Sequence, residues 1–262
     1  MKNVLILGSG RSGTSLTAGL FRNSGAYFGD HPVAATESNP RGYYEDHLIN
    51  RLNDRLIWQI LDWPRFNRLR TRVDPPFHND YRCFWLAAPW WLRHVTASDD
   101  NVMQIKHFAA RQPFCYKDPR FSVTLEMWRP YLPADICCIV LFRDPRRTVT
   151  SMLHDAELYD PPLQVPRRWA YLSWHRTYRR LLRRFSRRGD WLFIHYDQVL
   201  DGRAAPALES FAQTKLDTSE IDPSLSRSKP DDTDGQPEVK RCQRLYRKLV
   251  ARSNRDLRRL GQ

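Results

Sequence analysis

The chain has 262 residues, with 42 Lys and Arg against 29 Asp and Glu, and a formal charge of +13. That length suits one large α/β domain spanning residues 1–262, whose core needs no disulfide or metal staples. The basic balance points to an anionic partner, whether a nucleotide, a phosphorylated or sulfated molecule, nucleic acid or a membrane surface, and does not choose among them.

Residues 4–15 read VLILGSGRSGTS. The apolar run Val4, Leu5, Ile6, Leu7 predicts a buried parallel strand. Gly8, Gly10 and Gly13 then let the backbone turn tightly and bring its N–H groups to an anion. A helix follows, with Leu16, Leu20 and Phe21 on one face. The loop nearly matches the triphosphate pattern G-x-x-x-x-G-K-[ST], but Thr14 stands where the lysine belongs and the positive charge sits inside the loop at Arg11.

Residues 24–40 are rich in Gly, Pro, Asn and Ser and read as a loop near the top of the first strand, closing in the turn Asn39-Pro40-Arg41-Gly42. Tyr43-Tyr44-Glu45 leads into a helix with Leu48, Leu52, Leu56 and Ile60 at intervals of four, which places Glu45 at or just before its start. A carboxylate there either stabilises the helix dipole or serves as a general base facing the anion loop. Glu37 is a second candidate for the same work. Residues 63–89 are irregular and aromatic, suited to a core or to an acceptor pocket, and a helix is expected over 84–95. The segment 102–108 fits strand and helix equally.

Phe114-Cys115-Tyr116 reads as a short buried strand ending in Lys117-Asp118-Pro119-Arg120, which delivers charge to the carboxyl edge of the sheet. Lys117 there either contacts a transferring group or pairs with Asp118 as a solvated strand end. Residues 136–142 (ICCIVLF) predict a central strand, and Pro145 opens a helix carrying Thr148, Ser151 and Met152, so Arg143 sits at the strand tip. This is a second strand–turn–helix unit of anion-binding type. Residues 166–188 predict a basic amphipathic helix: Tyr171, Trp174, Tyr178, Leu181, Leu182 and Phe185 on one side, with Arg176, Arg179, Arg180, Arg183, Arg184 and Arg187 on the other, facing solvent or an acidic partner. Residues 191–196 suggest a third core strand with Tyr196 and Asp197 at its tip, 228–236 a loop suited to a lid, and 239–260 a closing amphipathic helix.

The five cysteines, Cys83, Cys115, Cys137, Cys138 and Cys242, lack C-x-x-C spacing and read as reduced core thiols, with Cys137 and Cys138 facing opposite sides of a strand. No apolar run approaches the roughly 20 residues that span a bilayer, and the stretch before Gly8 is too short for a signal peptide. A cytoplasmic protein with no metal site is expected.

GSGRSGTS at 8–15 and FRDPRRTVTS at 142–151 together resemble the two signature elements of the sulfotransferases that use 3′-phosphoadenosine-5′-phosphosulfate. The resemblance runs from the first strand to about Lys229 and implies a three-layer α/β fold with a mainly parallel central sheet, as in P-loop proteins. It implies that Gly10, Arg11, Ser12, Gly13, Thr14 and Ser15 hold the 5′-phosphosulfate and that Arg143 and Ser151 grip the 3′-phosphate. Tyr196 matches a cofactor-contacting tyrosine, and Arg227 to Lys229 stand for the basic segment that closes over the 3′-phosphate, without its usual glycines. Lys117 matches the lysine of the hormone and phenol enzymes, but Pro119 occupies their histidine position, which rules out a histidine base. The pattern Asn39 to Glu45 is similar to the N-P-x-G-Y-x-E of bacterial members, and glycan and tyrosyl enzymes use a glutamate after the first loop. Glu45 is then the leading base, with Glu37 and Asp118 behind it.

The resemblance implies in-line sulfuryl transfer to a hydroxyl acceptor such as a glycan, a lipid or a small molecule, with Glu45, Arg11 and Lys117 as catalytic residues and no metal. Two other readings remain: a nucleotide or small-molecule kinase with a degenerate loop, and a basic module binding nucleic acid or an anionic surface through the arginine helix.

Overall fold

The computed structural model describes residues 1–37, 39–61, 96–159, 166–225 and 236–260. The segments expected as an aromatic stretch (63–89), a helix (84–95) and a lid (228–235) lie outside the described residues, as do Cys83 and Arg227.

Among the described residues four strands form one all-parallel sheet: β1 (Val4–Gly8), β2 (Cys115–Lys117), β3 (Cys137–Phe142) and β4 (Asp190–His195), in the order β2-β1-β3-β4. Leu5 stands opposite Tyr116 on one side and Cys138 on the other, and Val140 opposite Phe193. Every residue of β1, β2 and β3 is buried, as a sheet covered on both faces requires.

Because side chains alternate along a strand, each strand feeds two cores. Leu5, Leu7, Tyr116, Cys138, Val140, Phe142 and Phe193 pack into one. Val4, Ile6, Cys115, Cys137, Ile139, Leu141 and Ile194 pack into the other. Cys137 and Cys138 thus face opposite layers, and both are free thiols. The first core is closed by α2 (His47–Leu61), α3 (Asp99–Ala109), α4 (Phe121–Trp128), α6 (Arg167–Arg183) and most of α9 (Pro237–Leu260). The second is closed by α1 (Thr14–Gly19), α8 (Ala205–Ala212) and the end of α9. Each fully buried Leu, Ile or Phe in these layers contributes roughly 1.5–3 kcal/mol over its exposed state.

The ambiguous segment at 102–108 is helical within α3. Asp99 and Asp100 in its first turn and Lys106 and His107 in its last complement the helix dipole, a signal that periodicity alone missed. The strand expected at 191–196 is β4, an edge strand ending at His195. Its free edge is covered by α9, where Asp256, 3% exposed, accepts the Phe193 N–H at 3.1 Å. The loop placed near the top of β1 begins instead at the amino edge. Tyr27 runs parallel beside Phe114, and the Cys115 N–H donates to the Tyr27 carbonyl at 2.9 Å. The chain then climbs outside β2 and reaches the carboxyl edge at Tyr43–Glu45.

On the arginine face expected over 166–188, Arg183 and Arg187 are exposed and Arg180 is buried. Arg180 shares a face with Ser173 and Thr177 and is 2% exposed, donating to the Ser122 carbonyl at 3.1 Å. Burial, with Arg184 and Arg176 nearby, pulls its pKa down to about 9. Arg184 pairs with Glu126 of α4 at 3.0 Å. The described residues also form α5 (Pro145–Tyr159) and the short α7 (Tyr196–Leu200). No helix of the described residues is long and apolar enough to cross a membrane.

Candidate active site

The sheet order puts the site where the chain changes direction. After β1 the chain turns to α1 on one face, and after β3 it turns to α5 and α6 on the other, so a crevice opens at the carboxyl ends of β1 and β3. A cavity of about 360 Å³ lies there, lined by the β1 loop, Glu37 and residues 39–45, Lys117, Arg143, the middle of α5 and Tyr196.

The loop from Ser9 to Gly13 is held by buried hydrogen bonds. The Ser9 N–H donates to the Tyr178 hydroxyl at 3.1 Å, and that hydroxyl donates to the Leu141 carbonyl at 2.7 Å. The Gly8 N–H donates to Ser122 Oγ at 3.3 Å. Gly13 has φ 92 and its α-carbon lies against the Tyr196 ring, where any Cβ would collide. Gly10, Arg11, Gly13, Thr14 and Ser15 line the cavity. Ser12 turns away from it, fully buried, and donates to the Ser9 carbonyl at 2.5 Å, so its hydroxyl braces the loop.

Lys117, at the tip of β2, is 3% exposed although it is a lysine. Its ammonium forms a short ion pair with Glu45, donates to Ser15 Oγ at 3.2 Å and stands over the Tyr43 ring. The expected alternative, a solvated pair with Asp118, does not form. Glu45 also accepts from Asn50 Nδ2 at 2.8 Å, leaving the carboxylate fixed between α2 and β2. It is not the residue that starts α2. Asp46 does that, accepting the Leu48 and Ile49 N–H groups at 2.7 and 3.1 Å, and this frees Glu45 for the cavity. Of the expected apolar face of α2, Leu52, Leu56 and Ile60 are buried while Leu48 is 38% exposed.

The other two carboxylates separate clearly. Glu37 lines the cavity from its exposed rim. Asp118 is fully buried outside it, accepting from the Arg120 N–H at 2.8 Å, Arg120 Nη1 at 3.1 Å and Asn53 Nδ2 at 2.8 Å. Burial pushes its pKa up to about 6, against the pull of Arg120. Asn53 in turn accepts from Thr124 and Trp128, so Asp118 anchors α2 and α4 beneath the site.

Across the cavity Arg143 is 5% exposed, its guanidinium 4.5 Å from the Tyr196 ring centroid. Burial and the neighbouring Arg147 pull its pKa below the usual arginine value. Ser151, two turns into α5, accepts from Arg11 Nε at 3.1 Å, and Arg11 pairs with Asp155 at 3.4 Å. His195 caps α7, accepting the Asp197 N–H at 3.1 Å, and this seats Tyr196 at the cavity wall.

Asp155, Arg41 and Glu220 escaped the sequence reading. Glu220 is 5% exposed, pairs with Arg22 at 2.7 Å and Arg41 at 3.6 Å, and accepts from the Tyr44 hydroxyl at 3.2 Å. This network clips the 39–44 turn to the segment after α8. Its partners lie too far apart in sequence for local spacing to show it. Asp155 lies one turn beyond Ser151, and that i, i+4 spacing was a usable signal.

Arg11, Arg41, Lys117 and Arg143, with the hydroxyls of Thr14, Ser15 and Ser151, thus line one cavity, together with the carboxylates Glu37, Glu45, Asp155, Glu220 and Asp222. Such a set of donors suits a phosphorylated or sulfated ligand.

Among solved structures the chain is similar to the sulfotransferase domain of the olefin synthase of Synechococcus PCC 7002, with TM-score 0.51, 17% identity, and 94% of this chain and 96% of that chain covered. It also aligns with the sulfotransferase domain of the curacin biosynthetic pathway (TM-score 0.42, 14% identity, 92% of this chain and 82% of that chain). A sulfotransferase from Alicyclobacillus acidocaldarius aligns as well (TM-score 0.42, 15% identity, 98% and 96%). No protein-family model and no curated protein matches the sequence. The parallel sheet flanked by helices, matched over nearly the whole of both chains to the olefin synthase domain, gives this chain the fold of a sulfotransferase domain.

Proposed function

We propose that residues 1–262 form one cytoplasmic domain that transfers a sulfuryl group from 3′-phosphoadenosine-5′-phosphosulfate to a hydroxyl acceptor, a glycan, lipid or small molecule. The observation that carries the reading is the buried Lys117–Glu45 pair opening onto the same cavity as the β1 loop, Arg143 and Ser151. A base, a cation beside it and two anion-gripping units share one site.

The residues fit this donor by the chemistry of what they present. The β1 loop from Gly10 to Ser15 would hold the 5′ side, and Arg143 with Ser151 the 3′-phosphate, Tyr196 stacking behind Arg143. When bound, the donor supplies a sulfuryl group attached to a stable leaving phosphate. Glu45 accepts the proton of the acceptor hydroxyl, which its position between Asn50 and Lys117 aims toward the cavity. Lys117 neutralises negative charge on the group being transferred, and Arg11 with the loop N–H groups neutralises charge on the leaving side. Burial of Lys117 strengthens the first effect, and burial of Arg143 strengthens its hold on the 3′-phosphate.

Calorimetric titration with adenosine 3′,5′-bisphosphate, with ATP plus Mg²⁺ as control, tests the reading. Micromolar binding of the bisphosphate and weak binding of ATP is the expected result. Tight ATP·Mg²⁺ binding without bisphosphate binding returns the kinase reading, and binding of neither refutes a nucleotide site.

A further inference from the structure

Arg11 sits in the β1 loop with φ 63, a left-handed conformation that costs a non-glycine residue about 1 kcal/mol or more. Its side chain crosses the cavity to α5. There Nε donates to Ser151 Oγ at 3.1 Å, and Nη1 stands 3.4 Å from Asp155 Oδ1. Ser151 and Asp155 are one helical turn apart and both line the cavity beside Arg143.

Asp155 puts a carboxylate on the α5 side of the cavity, beside Arg11, Arg143 and Ser151. A carboxylate among cations and hydroxyls opposes any phosphate that approaches them, and the chemistry proposed above has no use for it. Its Oδ1 is buried and accepts no hydrogen bond among the described residues, so its hold on Arg11 is Coulombic, at 3.4 Å, with both side chains about one-third exposed (29% and 33%). A partly exposed pair of this kind is weak enough to be exchanged.

We propose that Asp155 competes with the nucleotide's phosphates for the Arg11 guanidinium. Binding replaces the carboxylate partner by a phosphate, and release of the bisphosphate product hands Arg11 back to Asp155. Asp155 is then a positioning residue that acts through Arg11 and limits how tightly the product is held, which matters where product release sets turnover. The proposal rests on the nucleotide-donor reading of the site.

The test is a double-mutant cycle read by calorimetry with adenosine 3′,5′-bisphosphate at one fixed salt concentration, on the parent, Asp155→Asn, Arg11→Ala and the double variant. Asp155→Asn is expected to tighten binding about fivefold in the parent, the scale of a partly exposed ion pair, and by less than about twofold once Arg11 is alanine. Equal tightening in both backgrounds means that the carboxylate acts on the phosphate directly and overturns the proposal. Unchanged or weaker binding by Asp155→Asn overturns it as well. Asp155→Ser, run in parallel, supplies the same comparison should the asparagine variant not fold. A folded parent that binds no bisphosphate refutes the donor reading and the proposal together, whereas parent binding with additive variants refutes the proposal alone.

Discussion

The pair formed by Glu45 and Lys117 predicts a large energetic coupling that needs no acceptor to measure. Lys117 has a side chain 2% exposed and Glu45 one 10% exposed, so each charge is desolvated and each is the other's principal compensation. Replacing Glu45 by alanine leaves a buried ammonium with the Ser15 hydroxyl as its remaining hydrogen-bond acceptor among the described residues. Removing one partner of a buried pair costs about 3–5 kcal/mol, and the adjoining cavity, which admits water, favours the lower end, about 3 kcal/mol. Lys117→Met strands a carboxylate that keeps its bond from Asn50, and about 2 kcal/mol is expected. The double variant removes both charges at once and should lose about 2 kcal/mol in place of the additive 5, a coupling near 3 kcal/mol. Urea unfolding at pH 7, with slopes compared to confirm an unchanged unfolding transition, measures all four corners of the cycle. Additivity within about 0.5 kcal/mol would mean that the two charges do not depend on one another, and the reading of this site as a desolvated base and cation would fall.

Two further outcomes follow from the same geometry. Arg143→Ala should raise the dissociation constant for adenosine 3′,5′-bisphosphate at least about tenfold in calorimetry, the loss of one charge-assisted phosphate contact, and unchanged affinity would remove Arg143 from the site. Asp118, with a folded pKa raised from 3.8 to about 6, binds more protons folded than unfolded across that window, so its contribution is present at low pH and declines as pH rises through 6. The stability of the parent minus that of Asp118→Asn should therefore fall, by about 2 kcal/mol, between pH ~4 and ~7 in urea titrations. A flat or rising difference would show that Arg120 and the hydrogen bonds outweigh burial.

Much of the fold was legible because its signals are local. A continuous apolar run such as ICCIVLF has few places to go except between two helix layers, and glycines beside a strand end mark a tight turn wherever they fall. The same locality explains what stayed open. Glu45 and Asp46 are adjacent carboxylates, and periodicity cannot say which caps α2. The choice is settled by Lys117, more than seventy residues away in sequence, whose burial demands a counter-charge. Arg180 looks like a surface residue by composition and is buried where α6 packs against α4, donating there to the Ser122 carbonyl.

By itself the sequence determined the parallel sheet, the turn and helix after β1, the arginine at the tip of β3, and the short list of carboxylates that can act as a base, since each depends on residue type at short range. Tertiary structure alone decided that Glu45 lines the cavity in a buried ion pair while Glu37 lines its rim, that Asp118 is an anchor, that Ser12 turns inward, and that Glu220 lines the cavity. Those outcomes depend on which buried charge finds which partner across the sheet, a long-range balance of desolvation against pairing that no spacing of residues along the chain records.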